Sequence, residues 1–185
     1  MRRAVLVACL VALSFPVLAA TLANVTLPDT VTVGNKTLVL NGMGVRSKFF
    51  VKVYVAGLYL EKKTADANAI LQQDAARRLV LQFVRSEVTR EQMVEAFDEA
   101  LKANAPDRAA SLKGEIAQFL KALETMHEKE QMAITYMPAV GTTVTIRGKD
   151  KVTIPGQPFG ETVFSMWLGP KPPNGDLKAG LLGKK

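Results

Sequence analysis

The sequence predicts an α+β domain in which a mainly antiparallel sheet is covered on one side by helices. Three observations carry that class. Short apolar, β-branched segments punctuated by Gly, Pro and Asn fill the first part of the chain and return near residue 132. Two stretches with helical apolar spacing lie between residues 89 and 126, and a more apolar one follows residue 160. Strands, then helices, then strands and helices again suit a sheet with a helical layer, not the regular alternation of a parallel βαβ fold.

Each element has its own signal. Thr30–Val33 alternates polar and apolar, Lys36–Leu40 is a mostly apolar partner, and Gly34-Asn35 between them is a two-residue hairpin turn. Gly42-Met43-Gly44 reads as a turn where glycine supplies backbone freedom; it leads through Arg46 into Phe49–Leu60, a strand apolar enough to be buried on both faces. Thr64–Gln73 predicts a short helix and Arg78–Val84 a strand. Thr89 with Gln92 forms a capping box, and Met93, Phe97, Ala100 and Leu101 share one helical face before Pro106 stops the helix. Leu112, Ile116, Phe119, Leu120, Leu123 and Met126 repeat the pattern. Met132–Met137, Thr142–Arg147 and Lys151–Ile154 are strands joined by turns at Pro138–Gly141 and Gly148–Asp150. Gly160–Leu168 is a helix ended by Gly169-Pro170, and Asp176–Leu182 a last short one.

Residues 1–20 stand apart as a secretory signal. Arg2 and Arg3 precede an apolar run, Pro16 breaks it, and small residues allow cleavage after Ala19 or Ala20. The run is too short for a stable membrane anchor. Leu6-Val7-Ala8-Cys9 resembles a lipoprotein box, but too few apolar residues precede Cys9 and too many follow it. One domain then spans residues 21–185, and the expected compartment is a bacterial periplasm. Loss of Cys9 with the signal leaves no cysteine, hence no disulfide or thiolate chemistry.

Removing Arg2 and Arg3 from the formal charge of +7 leaves about +5. The basic residues are interleaved with acids, clustering only at the tail, which does not make a nucleic-acid surface. His127, the single histidine, sits in Met126–Glu130 at an expected helix end, where a cation suits the macrodipole. With no HExxH-type spacing, no metal and no cofactor are expected. Gly42-Met43-Gly44 superficially resembles a phosphate loop, but a strand follows where phosphate binding needs a helix N-terminus. Met93, Phe97, Phe119, Met126, Phe164, Met166 and Trp167 have the spacing of core residues, though a cavity for an apolar ligand would use the same types.

Arg46, Tyr54 and Tyr59 are the candidates for binding. An arginine in an apolar run needs an anion, a hydrogen-bond network or solvent, and its donor fork suits a carboxylate or phenolate. A tyrosine hydroxyl adds one more donor. Strand alternation places Tyr54 with Ala56, Leu58 and Leu60 and Tyr59 on the opposite face, so one cavity receives both only if a bulge intervenes. On the residues alone Arg46 is equally a strand-entrance residue or a ligand anchor.

The stretch GMGVRSKFFVKVYVAGLYLE resembles the signature of the chalcone isomerase superfamily, and IPGQPFGETVFSMWLGPKPPNGDLKAGLLG, residues 154–183, resembles its bacterial secreted branch. The resemblance implies an open-faced β-sandwich with a ligand between a long antiparallel sheet and a helical layer. It implies that Arg46 stands where the family's plant enzymes pair an arginine with a substrate phenolate. The family's strand threonine falls at Tyr54. Its catalytic tyrosine and asparagine fall near Met93 and near Glu99 or Ala100, so neither is retained. An arginine–tyrosine pair instead resembles the family's fatty-acid-binding members, with Tyr54 the better partner. The expected function is therefore a periplasmic, noncatalytic binder of an amphipathic carboxylate. Two alternatives stand beside it: a chalcone-type isomerase acting on a phenolic enone through Arg46, and an envelope interaction module. The module predicts Arg46 bridged to an internal carboxylate with no void beside it.

Overall fold

The computed structural model describes residues 19–184. Of the signal expected at residues 1–20, residues 1–18 therefore lie outside the described residues, while Ala19 and Ala20, the two expected cleavage positions, open a strand. That strand, β1 (Ala19–Leu22), forms a hairpin with β2 (Val25–Pro28) around Ala23 and Asn24, both at positive φ.

The main sheet is built as expected, with longer strands. β3 (Thr30–Val33) pairs with β4 (Lys36–Lys48), β4 with β5 (Val51–Leu60), and β5 with β6 (Arg77–Phe83). After a helical excursion, β9 (Gln131–Met137), β10 (Gly141–Ile146) and β11 (Lys149–Ile154) complete seven antiparallel strands in the order β11-β10-β9-β6-β5-β4-β3. A separate two-residue ladder joins β7 (Glu87–Val88) to β8 (Met126–His127).

The helices cover one face. Asp66 caps α1 (Ala67–Gln72), shorter than its sequence signal. Thr89 and Gln92 form the expected capping box on α2 (Arg90–Asn104). Pro106 starts α3 (Pro106–Ser111), and α4 (Lys113–Lys121) ends before Leu123 and Met126, so the second amphipathic stretch is a helix only in its first half. α5 (Gln157–Leu168) is buried nearly all round, and α6 (Gly175–Leu181) closes the layer. Among the described residues no helix is long and apolar enough to cross a membrane.

Two apolar clusters sandwich the sheet. Tyr54, Ala56, Leu58, Leu60, Leu79 and Leu81 face the helices, whereas Val25, Leu27, Leu38, Val55, Tyr59 and Val80 form a smaller cluster that includes the β1–β2 hairpin. The burial of Tyr54–Leu60 on both faces matches the apolarity of that segment.

Two expectations are corrected. Gly42 and Gly44 are not at a turn and have no positive φ; they lie in the middle of β4, under α6. A Cβ on Gly42 would stand 2.1 Å from the Gly180 carbonyl oxygen, one on Gly44 2.5 Å from that of Leu177, and one on Gly180 2.2 Å from that of Met43. Their role is close approach of a helix backbone to a strand backbone. The turn lies further on, at Phe49-Phe50, read from sequence as the start of a strand. His127 is likewise not at a helix end. It sits in β8, its Nε2 3.4 Å from Glu87 and its Nδ1 3.6 Å from Glu130.

Candidate functional site

The site grows from one row of side chains on the helix-facing side of the sheet. Gly42, Gly44 and Arg46 alternate along β4 opposite Leu58, Ala56 and Tyr54 of β5. Directly opposed residues of an antiparallel pair share a face, so Arg46 and Tyr54 are cross-strand neighbours. α6 lies along the glycines, and beyond its first turn the row ends in Arg46, the first position where a long side chain fits. Asn174, at the N-cap position of α6, makes no cap bond. Its Oδ1 instead accepts from the Ser47 N–H at 3.0 Å and from Arg46 Nη1 at 3.1 Å. Arg46 Nη1 also donates to the Ser47 carbonyl. Among the described residues no carboxylate pairs with this guanidinium, and its Nε and Nη2 donate to no protein group.

Tyr54 is 5 % exposed, and its hydroxyl accepts a 3.0 Å bond from Trp167 Nε1. That bond leaves the phenolic O–H as a donor. Burial pushes the Tyr54 pKa up to about 12, although the Trp167 bond and the Arg46 charge pull the other way. Tyr54 is thus a neutral donor at neutral pH, beside a permanent positive charge.

A cleft of about 610 Å³ opens beside this pair, between the sheet and α2. Phe83, Val88, Met93, Phe97, Met166 and Trp167 line its apolar part. Tyr54 meets Phe83 edge-on at 5.7 Å, and Phe97 meets Trp167 edge-on at 5.5 Å, which locks the rings that form the wall. The polar lining is mixed: Arg46, Lys48, Arg85 and Lys171 are basic, and Glu95 and Glu99 of α2 are acidic. A bulge aims β5 at the cleft. Arg46 pairs with Tyr54 but Ser47 with Lys52, which leaves Val53 as the extra residue lining the cleft.

The residues singled out in sequence divide cleanly. Arg46 and Tyr54 come together. Tyr59 does not join them, because β5 pairs with β6 without a break from Tyr54 to Leu60; the bulge at Val53 lies outside that span, and the second β4–β5 bulge puts its extra residue, Asn41, on β4. Its ring is buried on the other face, with the hydroxyl donating to the Pro28 carbonyl at 2.9 Å. Met93 and Ala100, near the expected places of a tyrosine and an asparagine, line the cleft, as does Glu99, so none of these three positions offers a neutral donor; the Gln92 amide is also in the lining, with its Oε1 accepting from the Thr89 N–H. Of the apolar residues considered, Met93, Phe97, Met166 and Trp167 reach the cleft; Phe119, Met126 and Phe164 pack elsewhere in the core. Asn174 escaped the sequence reading, although Asn174-Gly175 ahead of a helix marks a cap. Trp167 has the spacing of a core residue, and nothing local reports its bond to the Tyr54 hydroxyl.

No curated protein matches the chain in sequence. Among solved structures the fold is similar to the crystal structure of an Arabidopsis thaliana fatty-acid binding protein, with a TM-score of 0.69 over 90 % of this chain and 96 % of that one, at 16 % identity. The chalcone isomerase-like family matches residues 19–183, nearly the whole described chain. Two sequence motifs, the seven-stranded sheet with its helical layer and this match agree: the chain belongs to the chalcone isomerase-like family.

Proposed function

We propose that this protein is a noncatalytic binder of an amphipathic, fatty-acid-like carboxylate, acting in the periplasm. One observation carries the reading: Arg46, with Nε and Nη2 unused, and the neutral Tyr54 hydroxyl stand side by side on a cleft of ligand size that has an apolar wall and a mixed charged lining. A carboxylate there would receive charge-assisted bonds from the guanidinium and one from Tyr54, while its alkyl chain lies along Phe83, Val88, Met93 and Phe97. The Arabidopsis protein of similar fold is described as a fatty-acid binding protein, which is consistent with this use of the cleft.

The same pair would also accept a phenolate, but ring closure needs donors aimed at the charge developing on the enone oxygen. Met93 and Ala100 offer none. The interaction-module reading calls for Arg46 bridged to an internal acid without a void. Among the described residues Arg46 instead meets Asn174, and the cleft lies beside it.

Native mass spectrometry of the purified protein should show a bound acid that Arg46→Ala loses and Tyr54→Phe retains weakly. Removing a charge-assisted pair of this kind weakens affinity by about a hundredfold. Equal recovery of acid from wild type and Arg46→Ala overturns the proposal. A chalcone incubated with the protein should give a flat absorbance trace, and cyclisation abolished in Arg46→Ala would restore the isomerase reading.

A further inference from the structure

We propose that the tip of the β4–β5 hairpin is a membrane-docking element that seats Phe49 and Phe50 in the interface of an anionic lipid surface. Lys48 pairs with Val51, so the loop is two residues long, and both have positive φ, 50° at Phe49 and 67° at Phe50. Two-residue hairpins with positive φ at both positions favour Asn-Gly, because a bulky L-residue is sterically disfavoured there. Water disfavours the same pair: Phe49 is 85 % exposed, Phe50 fully so, and Val51 about half. Backbone geometry and solvation thus both argue against phenylalanine at these positions, and no packing compensates. A residue pair that breaks two local rules at once marks a functional site.

The flanking charges name the partner. Lys48 and Lys52 stand exposed on either side of the loop, and Arg46, Arg85 and Lys171 continue the basic character along the adjoining cleft. The acids of that region, Glu95 and Glu99, lie on the α2 wall. Aromatic rings at a tip with ammonium groups behind them match a bilayer interface, where rings enter the headgroup–acyl boundary and lysines meet lipid phosphates. A protein partner fits less well. Two phenylalanines and a valine on a narrow tip expose less than the roughly 800 Å² that each side of a stable protein interface buries. The contact is peripheral and reversible; among the described residues no helix is long and apolar enough to span a bilayer.

Phe49 and Val51 also line the cleft, so docking would bring its mouth to the lipid surface, the source of an amphipathic acid. That clause rests on the function proposed above; docking itself does not.

Co-sedimentation with vesicles of phosphatidylcholine alone and of phosphatidylcholine mixed with phosphatidylglycerol tests the proposal on delipidated protein. Wild type should sediment with the mixed vesicles and at least about tenfold less with phosphatidylcholine alone. F49N/F50G installs the residues the turn prefers, so its melting temperature should equal or exceed that of wild type. Its binding to mixed vesicles should nevertheless fall by about tenfold or more. K48E/K52E should lose the preference for the anionic lipid. Failure of wild type to sediment, or equal sedimentation of F49N/F50G, overturns the proposal. A wild-type dimer that F49N/F50G converts to monomer, without vesicle binding, assigns the tip to a second copy and also overturns it. Bound acid is scored separately, by mass spectrometry without vesicles, so failure of docking and failure of the ligand reading are distinguishable.

Discussion

Two arginines stand on the helix-covered face of the sheet, at opposite ends of β5, and their surroundings differ in kind. Arg77, opposite Leu60, is 1 % exposed. Its Nη1 donates to the Ile70 and Gln73 carbonyls at the end of α1, at 2.8 and 2.9 Å, and the guanidinium lies between the rings of Tyr136 and Phe164 at 4.6 and 5.0 Å. Burial holds its pKa below the usual arginine range, with Tyr136 and nearby carboxylates opposing that shift. Arg46, opposite Tyr54, is likewise anchored through one nitrogen but is only half-buried, and it faces a cleft nearly seven times larger than the 90 Å³ void beside Arg77. One charge is absorbed by helix carbonyls and aromatic faces and serves the fold. The other is held in place at the edge of an open cleft. Both guanidiniums bond the protein through Nη1 alone, and Nε and Nη2 of Arg77 are buried without partners; what separates the two is the open cleft beside Arg46.

The largest expected effect follows from the closed site. Arg77→Ala strips two helix-end carbonyls and two rings of their partner and should lower the unfolding free energy by about 3 kcal/mol. Arg46→Ala, which loses the Asn174 bond and gains solvent access, should cost about 1 kcal/mol or less. Urea denaturation of both variants breaks the comparison if their losses are alike.

Gly44→Ala tests how the open site is positioned. Its Cβ would stand 2.5 Å from the Leu177 carbonyl oxygen, so α6 must shift and carry Asn174 away from Arg46. A loss of about 2 kcal/mol is expected, with weaker acid retention. Gly114→Ala, where nothing lies within 4 Å in helix α4, is the control and should stabilise by up to about 1 kcal/mol.

Trp167→Phe removes the donor that holds the Tyr54 hydroxyl. It should destabilise by about 1 kcal/mol and weaken acid binding several-fold, measured by denaturation and native mass spectrometry.

The smallest effect sharpens the comparison by titration. Burial raises Tyr54, Tyr59 and Tyr136 each to about 12, with Asp74 adding to the shift at Tyr136. Each pKa lies above the unfolded value, so this stability is fully present below about pH 10 and is lost as pH rises toward and through 12. Ultraviolet titration should show almost no tyrosinate before the protein unfolds. In Arg46→Ala the Tyr54 transition should move higher still, because the arginine charge favours the phenolate; an ordinary transition near 10 in the folded protein contradicts the burial described.

Much of this was legible locally. Period-two and period-3.6 apolar patterns placed most of the strands and helices, Thr89 with Gln92 announced α2, and alternation alone separated Tyr54 from Tyr59. The β1–β2 hairpin was not, because its first strand is composed like the tail of a secretory signal. The β4–β5 turn was not, because Phe-Phe carries no turn signal and the glycines nearby suggested another place. Gly42 and Gly44 need no Cβ on account of a helix more than a hundred residues away, and no local pattern reports such a contact.

Residue type and spacing by themselves determined the α+β class and set Tyr54 and Tyr59 on opposite faces, while two motifs carried the family, and it was the resemblance to that family that singled out Tyr54 as the partner of Arg46. Only the tertiary structure decided that Arg46 adjoins an open cleft, that Tyr59 is a strut and that two phenylalanines crown a hairpin. Those outcomes depend on which distant backbone, carbonyl or void each side chain meets, and chain spacing does not encode that distance.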